Sequence, residues 1–373
     1  MDNLLLESLE ILNFRAFRHL RIDHLGRINL IAGKNNVGKT CLLEALRLYA
    51  YRGSPELIVD ILDARDESGY NTPTDSSNLE RPLALKYLFH GRKDIIDIPE
   101  PIQIGTVNDK SAMLSIGLAW YTFQVNEQSI RELKELELDE YNTVENPTLR
   151  LTVQLGEQSK KSYPIDDVRR RLPRGVSQEI NCVFIGAGGL EKSQIGIFWD
   201  NIAISDFEED VLTALRIIAP TIERLSIIGE QEVYAGTKRR LERIPIIRTS
   251  NNDLPIPLRS LGEGMTRMLG LVLALVNTKN GILLIDEIES GLHYSVQLDM
   301  WRLIFQVARR LNVQVFATTH SWDCIESFQK AAAEDEQSEG MLIRLGHKKG
   351  DIVATIFNEQ ELAIATREQI EVR

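Results

Sequence analysis

Residues 33–40 run Gly33, Lys34, Asn35, Asn36, Val37, Gly38, Lys39, Thr40. A G-x-x-x-x-G-K-[ST] loop works only where a strand hands over to a helix, so this stretch restricts the fold more than any other. Its flanks meet that demand: Arg27 to Ala32 reads as a short buried strand and Cys41 to Leu46 as a helix start. The glycines let the backbone turn until successive N–H groups converge, and the helix N-terminus adds its partial positive charge at the same point. The loop is expected to cradle phosphates. Lys39 would bridge the outer phosphates and the Thr40 hydroxyl would hold Mg²⁺.

A second group of motifs lies some 220 residues on. Ser260-Leu261-Gly262-Glu263-Gly264 is a polar glycine turn opening the apolar helix Met268 to Val276, a shape suited to an anion. Gly281 to Glu287 is an apolar strand ending in two carboxylates, as expected where a buried parallel strand meets its ligand. Asp286 would complete the Mg²⁺ shell through water, and Glu287 would polarise an attacking water. After the helix Ser295 to Leu311, the strand Val313 to Ala317 ends in Thr318-Thr319-His320-Ser321, which places His320 to hydrogen-bond a γ-phosphate.

The remaining segments are less specific. Leu6 to Leu30 alternates apolar and polar residues and predicts two antiparallel strands. Between them Arg15, flanked by Phe14 and Phe17, is expected as a strand residue at a solvated edge rather than a ligand contact. Residues 66–81 are polar and rich in turn formers, a surface loop. Strand-like runs at Ala84 to Phe89, Ile102 to Val107, Ala112 to Phe123 and Thr148 to Leu155, with a charged helical piece at Ser129 to Glu137, predict an antiparallel subdomain inserted over about 83–160. Two basic clusters, Arg169-Arg170-Arg171 with Arg174 and Lys238-Arg239-Arg240 with Arg243, read as solvated helical faces, with nucleic-acid phosphates as the alternative. Ile180 to Ile185 reads as a strand, and the region from about 190 to 280 as mostly helical. A hairpin at Met341 to Leu345 and Ile352 to Phe357 is followed by a short closing helix.

At 373 residues, 43% hydrophobic and 26% charged, the chain can bury a large core, as two domains or as one large domain with insertions. Its three cysteines show neither metal-ligand nor disulfide spacing, so a reducing cytoplasm is the expected compartment. No stretch reaches a membrane-spanning length of about 18 apolar residues, and the N-terminus lacks a signal-peptide pattern. A net charge of −11 restricts any nucleic-acid contact to local basic patches.

In this order the residues resemble the ATPase heads of the ABC superfamily, in particular the SMC, RecF and OLD-like branch. Asn13 to Phe17 resembles that branch's N-terminal signature. Gly33 to Thr40 is similar to Walker A, Ser260 to Met265 to the signature motif, and Ile282 to Glu287 to Walker B. Gly291-Leu292-His293 resembles the D-loop and His320 the switch histidine. The signature reads Ser-Leu-Gly-Glu-Gly where transporters have Leu-Ser-Gly-Gly-Gln, and no glutamine is assigned to the family's Q-loop.

The resemblance implies an α/β P-loop NTPase with a mixed central sheet, an antiparallel β subdomain and a helical signature lobe, all within one head spanning 1–373. The implied parts are strands and Walker A over 1–52, the β subdomain over 83–160, the lobe over 190–280 and the Walker B part over 281–373. It implies ATP and Mg²⁺ held by Gly33 to Cys41 with Thr40 and Asp286, hydrolysis through Glu287 and His320, and a homo-oligomer, an ATP-dependent dimer or higher. In that dimer Ser260, Gly262, Glu263 and Gly264 would cap the partner's nucleotide. A separately encoded effector, as in phage defence, would do the work. A RecF-like DNA clamp, a transporter subunit, and a kinase or GTPase are the alternatives. The N-terminal signature argues against the transporter, and the absence of an Asn-Lys-x-Asp motif against the GTPase.

Overall fold

In a computed structural model of the chain, strands β1 (Leu9–Phe14) and β2 (Phe17–Ile22) place their apolar residues opposite one another: Leu9 faces Ile22, Ile11 faces Leu20 and Phe14 faces Phe17. All six are buried, so the alternation in the sequence becomes one apolar face of a sheet. The structure describes residues 4–67, 85–92, 98–125, 131–137, 140, 143–144, 146–165, 180–230, 233–234, 237–238, 242–334, 340–358, 361 and 364.

The antiparallel sheet does not stay within an insertion. Strand β4 (Ile102–Gly105) pairs with β1, Ile104 facing Ile11, and β5 (Leu114–Val125), β6 (Arg131–Glu135), β7 (Thr148–Leu155) and β8 (Lys161–Pro164) extend the same sheet in the order β2-β1-β4-β5-β7-β8, with β6 on β5. The charged piece predicted as a helix is the strand β6, because pairing of Phe123 with Leu133 and its neighbours overrides its helical composition. The run predicted as a strand at Ala84 to Phe89 holds a 3₁₀ turn at Lys86–Leu88, with a single bridge from Phe89 to Phe14.

The second sheet contains β3 (Ile28–Ala32), β9 (Cys182–Ile185), β15 (Ile282–Ile285), β16 (Gln314–Thr319), β17 (Gly340–Lys348) and β18 (Asp351–Phe357), in the order β18-β17-β3-β16-β15-β9. Five strands run parallel and β18 returns antiparallel on β17, so the sheet is mixed. Strands β3, β15 and β16 are buried along their whole length, which is why they read as continuous apolar runs. Ile31, Ile282 and Leu284 face a core shared with helix α1 (Lys39–Ala50) and the antiparallel sheet; Leu30, Leu283 and Ile285 face a second core under the helices of the other side. The carboxyl ends of β3, β15 and β16 share one rim, Ala32 opposite Thr319 and Ile285 opposite Ala317.

Helix α2 (Pro55–Asp63) follows α1, capped by Ser54. The region from 190 to 280 is less helical than its apolar periodicity predicts. Helices α3 (Lys192–Ile202), α4 (Phe207–Ile218) and α5 (Glu263–Asn277) enclose a three-stranded antiparallel sheet of β10 (Ile222–Glu230), β13 (Glu242–Thr249) and β14 (Asn252–Pro257), beside a two-stranded ribbon of β11 (Val233–Tyr234) and β12 (Thr237–Lys238). Helix α5 is buried from Arg267 to Val276 on all sides, as a helix apolar all round must be. Helices α6 (Tyr294–Leu311) and α7 (Trp322–Glu334) interlock through Trp301, Phe305 and Phe328, the Trp301 and Phe328 rings meeting edge to face at 5.0 Å. Among the described residues no helix is long and apolar enough to cross a membrane, and the three cysteines are free and buried.

Candidate functional site

The loop between β3 and α1 can be built only with glycine at its two ends. A Cβ on Gly33 would stand 2.7 Å from the Leu345 carbonyl oxygen, and one on Gly38, whose φ is 84°, 2.8 Å from the Phe17 ring. Lys34, Asn35 and Asn36 form the exposed rim of the loop, while Val37 and Cys41 are buried beneath it. The first turn of α1 carries no acidic residue, so the positive end of its dipole is left for an anion. The Lys39 ammonium folds back on the loop, donating to the carbonyls of Gly33 at 2.7 Å and Lys34 at 3.0 Å. Burial lowers its pKa from the ordinary lysine value, and the charges of Asp286, Glu287 and Glu289 oppose the shift.

The Asn13 to Phe17 stretch braces this loop. Arg15 is not at a solvated edge: its side chain is 5% exposed and lies 2.8 Å from Glu44 of α1 and 2.9 Å from Glu67. Arg65 donates to the other Glu44 oxygen at 2.7 Å. Burial raises the Glu44 carboxyl pKa, with Arg15 and Arg65 pulling it back. Arg15 reaches this interior because its φ of 48° turns the chain back between β1 and β2, a backbone feature invisible in the strand alternation.

Walker B meets the cradle across the sheet. The Thr40 hydroxyl donates to Asp286 at 3.1 Å to Oδ2 and 3.4 Å to Oδ1, and Thr318 Oγ1 donates to the same carboxylate at 2.6 Å. Glu287 N–H donates to Thr318 Oγ1 at 2.8 Å. Glu287 adopts a φ of 49°, an unfavourable conformation for a residue with a side chain, and its carboxylate is left half-exposed. Arg267 of α5 holds that backbone. It is 6% exposed and donates to the carbonyls of Asp286 and Glu287 at 2.9 Å each, and to Gly186 at 2.8 Å. Burial lowers its pKa, against the charges of Glu289, Asp286 and Glu287. His320 follows β16 on the same rim, its Nδ1 3.9 Å from Glu287 and 3.3 Å from Glu289.

Lys39, Thr40, Asp286, Glu287 and His320 therefore gather at one end of the parallel sheet. The signature stretch is placed differently: Ser260, Leu261, Gly262 and Glu263 are exposed, and Gly262 has a φ of 106°. Gly264 packs against the D-loop, where a Cβ would lie 2.9 Å from the Gly291 carbonyl oxygen. Between them a cavity of about 160 Å³ is lined by Gly188, Gly189, Glu263, Thr266, Arg267 and Ser290. Gly186 to Gly189 follow β9, the strand beside Walker B, and contain no glutamine.

Three residues here escaped sequence reasoning: Arg267, Thr318 and Glu289. Arg267 had a signal, a single cation inside an otherwise apolar helix; Thr318 stood in the run that ends β16 and Glu289 between the acidic strand and the D-loop, but both gained meaning only from their partners. Of the basic clusters, Arg169, Arg170, Arg171, Arg174, Arg239 and Arg240 lie outside the described residues. Arg243 is on a strand, β13, rather than on a helix, paired with Asp200 and donating to the Gly196 carbonyl at 3.2 Å.

A family model described as the AAA ATPase domain matches residues 5–172 and 197–325. The chain belongs to that family. This ATPase is 23% identical over 358 residues to an ATP/GTP phosphatase of Helicobacter pylori, covering 89% of this chain and 90% of the relative. It is 22% identical over 260 residues to the DNA replication and repair protein RecF of Heliobacterium modesticaldum, covering 67% and 62%. Among solved structures, it aligns with an SMC head bound to the C-terminal winged-helix domain of ScpA (12% identity, 98% of this chain and 99% of that one, TM-score 0.48). It also aligns with the SMC head domain of Thermotoga maritima (13%, 94% and 98%, TM-score 0.41).

Proposed function

We propose that this ATPase binds ATP with Mg²⁺ at the Gly33 to Thr40 cradle, hydrolyses it through Glu287, and works as a switch that closes in pairs. The observation that carries the reading is the Thr40–Asp286 contact: residues 246 positions apart meet at 3.1 Å, so cradle and acidic strand serve one site. One hydroxyl and one carboxylate suit a small hard cation that keeps its other positions for phosphates and water. Mg²⁺ bound there would neutralise phosphate charge. The backbone N–H groups from Lys34 to Cys41 would hold the phosphates, and Lys39 would leave its loop carbonyls for the outer ones. Glu287 would take up the proton side of the attacking water, and His320 would stand beside it.

Pairing is supported by the exposed Ser260 to Glu263 turn and by Tyr294, 63% exposed beside the D-loop. Covered by a second copy, Ser260 and Gly262 would meet the partner's γ-phosphate, making 1–373 one head of a dimer. The resemblance to the OLD-like branch then points to a separately encoded effector, in phage defence, released or engaged as the pair opens. Pull-down from the native cell, with and without ATP, tests this: an ATP-dependent protein partner supports it, and recovery of DNA alone rejects it. The RecF relative favours a second reading, a DNA clamp in repair. Salt-dependent DNA binding by the purified protein would separate the two.

A further inference from the structure

We infer that Glu289 is the positioning residue of His320 and selects which ring nitrogen meets the nucleotide, an inference that rests on the nucleotide reading above. Glu289 Oε1 accepts from the His320 backbone N–H at 3.0 Å and lies 3.3 Å from its Nδ1. One carboxylate oxygen thus bonds the backbone of His320 and stands beside its ring. The Glu289 side chain is 9% exposed, and Oε2 is buried without a hydrogen-bond partner among the described residues. A carboxylate kept so dry is costly unless it serves nearby donors and cations. Lys39 and Arg267 both feel its charge.

Imidazole chemistry then fixes the consequence. A neutral ring carries one N–H, and the hydrogen bond made at one nitrogen decides which nitrogen that is. Carboxylates at 3.3 and 3.9 Å from Nδ1 favour the proton on Nδ1. Nε2, across the ring, is left as a bare acceptor. Neutral His320 therefore accepts from a water or hydroxyl beside Glu287, and donates to a phosphate oxygen only when it carries a second proton. The pairing repeats, with different residues, the way a carboxylate orients a histidine beside a metal or nucleophile.

The test uses the full chain labelled with ¹⁵N-histidine, at about pH 8.5 where imidazoles are neutral. His320 is assigned by its loss in His320→Asn. Long-range ¹H–¹⁵N spectra should show the Nδ1–H form in the wild type, its retention in Glu289→Gln, which keeps an accepting oxygen, and its loss in Glu289→Ala. Glu289→Ala and His320→Ala should each lower kcat about 10- to 100-fold with nucleotide affinity unchanged, and the double variant should be no slower than His320→Ala alone. An Nε2–H wild type, or losses that multiply in the double variant, overturns the inference. The wild-type and Glu289→Gln spectra decide the matter even where Glu289→Ala fails to fold. They need no nucleotide, so their failure is distinct from that of the nucleotide reading, which would appear as full affinity in Lys39→Ala.

Discussion

At Gly38 an added Cβ would strike the Phe17 ring at 2.8 Å, whereas at Gly262 it would meet nothing within 4 Å. Both glycines open a helix and both have positive φ, yet one is walled in by its own chain and the other faces solvent. The cradle is braced from three directions: the β1–β2 turn through Phe17 and the Arg15–Glu44 pair, β17 through the Leu345 carbonyl, and Walker B through Thr40 and Asp286. The signature turn touches its own chain at Gly291 and leaves Ser260 to Glu263 uncovered. A site complete within one chain is rigid before ligand arrives. A site left open has room for something outside it.

The contrast can be broken or sharpened by substitution. Glu287→Gln should lower kcat by about 100- to 10,000-fold while nucleotide stays bound, and it should accumulate a dimer seen by light scattering. Hydrolysis at the wild-type rate would remove Glu287 as the residue that polarises water. Lys39→Ala should weaken nucleotide binding by about 100-fold in a fluorescent-nucleotide titration, even where the protein is monomeric. Ser260→Arg should cost hydrolysis about 10- to 100-fold and leave that affinity intact. Should it lose affinity as Lys39→Ala does, the two turns serve one chain and the comparison fails.

Smaller effects test the backbone itself. Gly38→Ala should lower stability by about 3 kcal/mol in denaturant melts, adding a ring collision to left-handed strain. Gly262→Ala should cost about 1 kcal/mol, since only the strain remains and the exposed turn can relax. Equal costs at the two positions would mean that the signature turn is as confined as the cradle.

Much of the parallel sheet was legible because its strands are buried on both faces and read as apolar runs ending in Asp286 or Thr318. The antiparallel part was legible only as separate strands. Leu133 and its neighbours look helical by composition, and only pairing with β5 makes them a strand. Likewise the residues between α4 and α5 carry too few local signals to distinguish a sheet from the helices around it. Arg15 illustrates the same limit at one residue: its type and aromatic neighbours fit a solvated edge, and the two carboxylates that bury it come from 29 and 52 positions further along the chain.

The amino-acid sequence by itself determined the phosphate cradle, the acidic strand end and the helix starts, because each is a short-range object whose own backbone supplies the function. Which acids, hydroxyls and cations stand around them was decided by the tertiary structure alone. Thr318 on Asp286, Arg267 on the Glu287 carbonyl and Glu289 on His320 are contacts between residues 20 to 32 positions apart in the chain. Their energies arise from burial and alignment that no local pattern encodes.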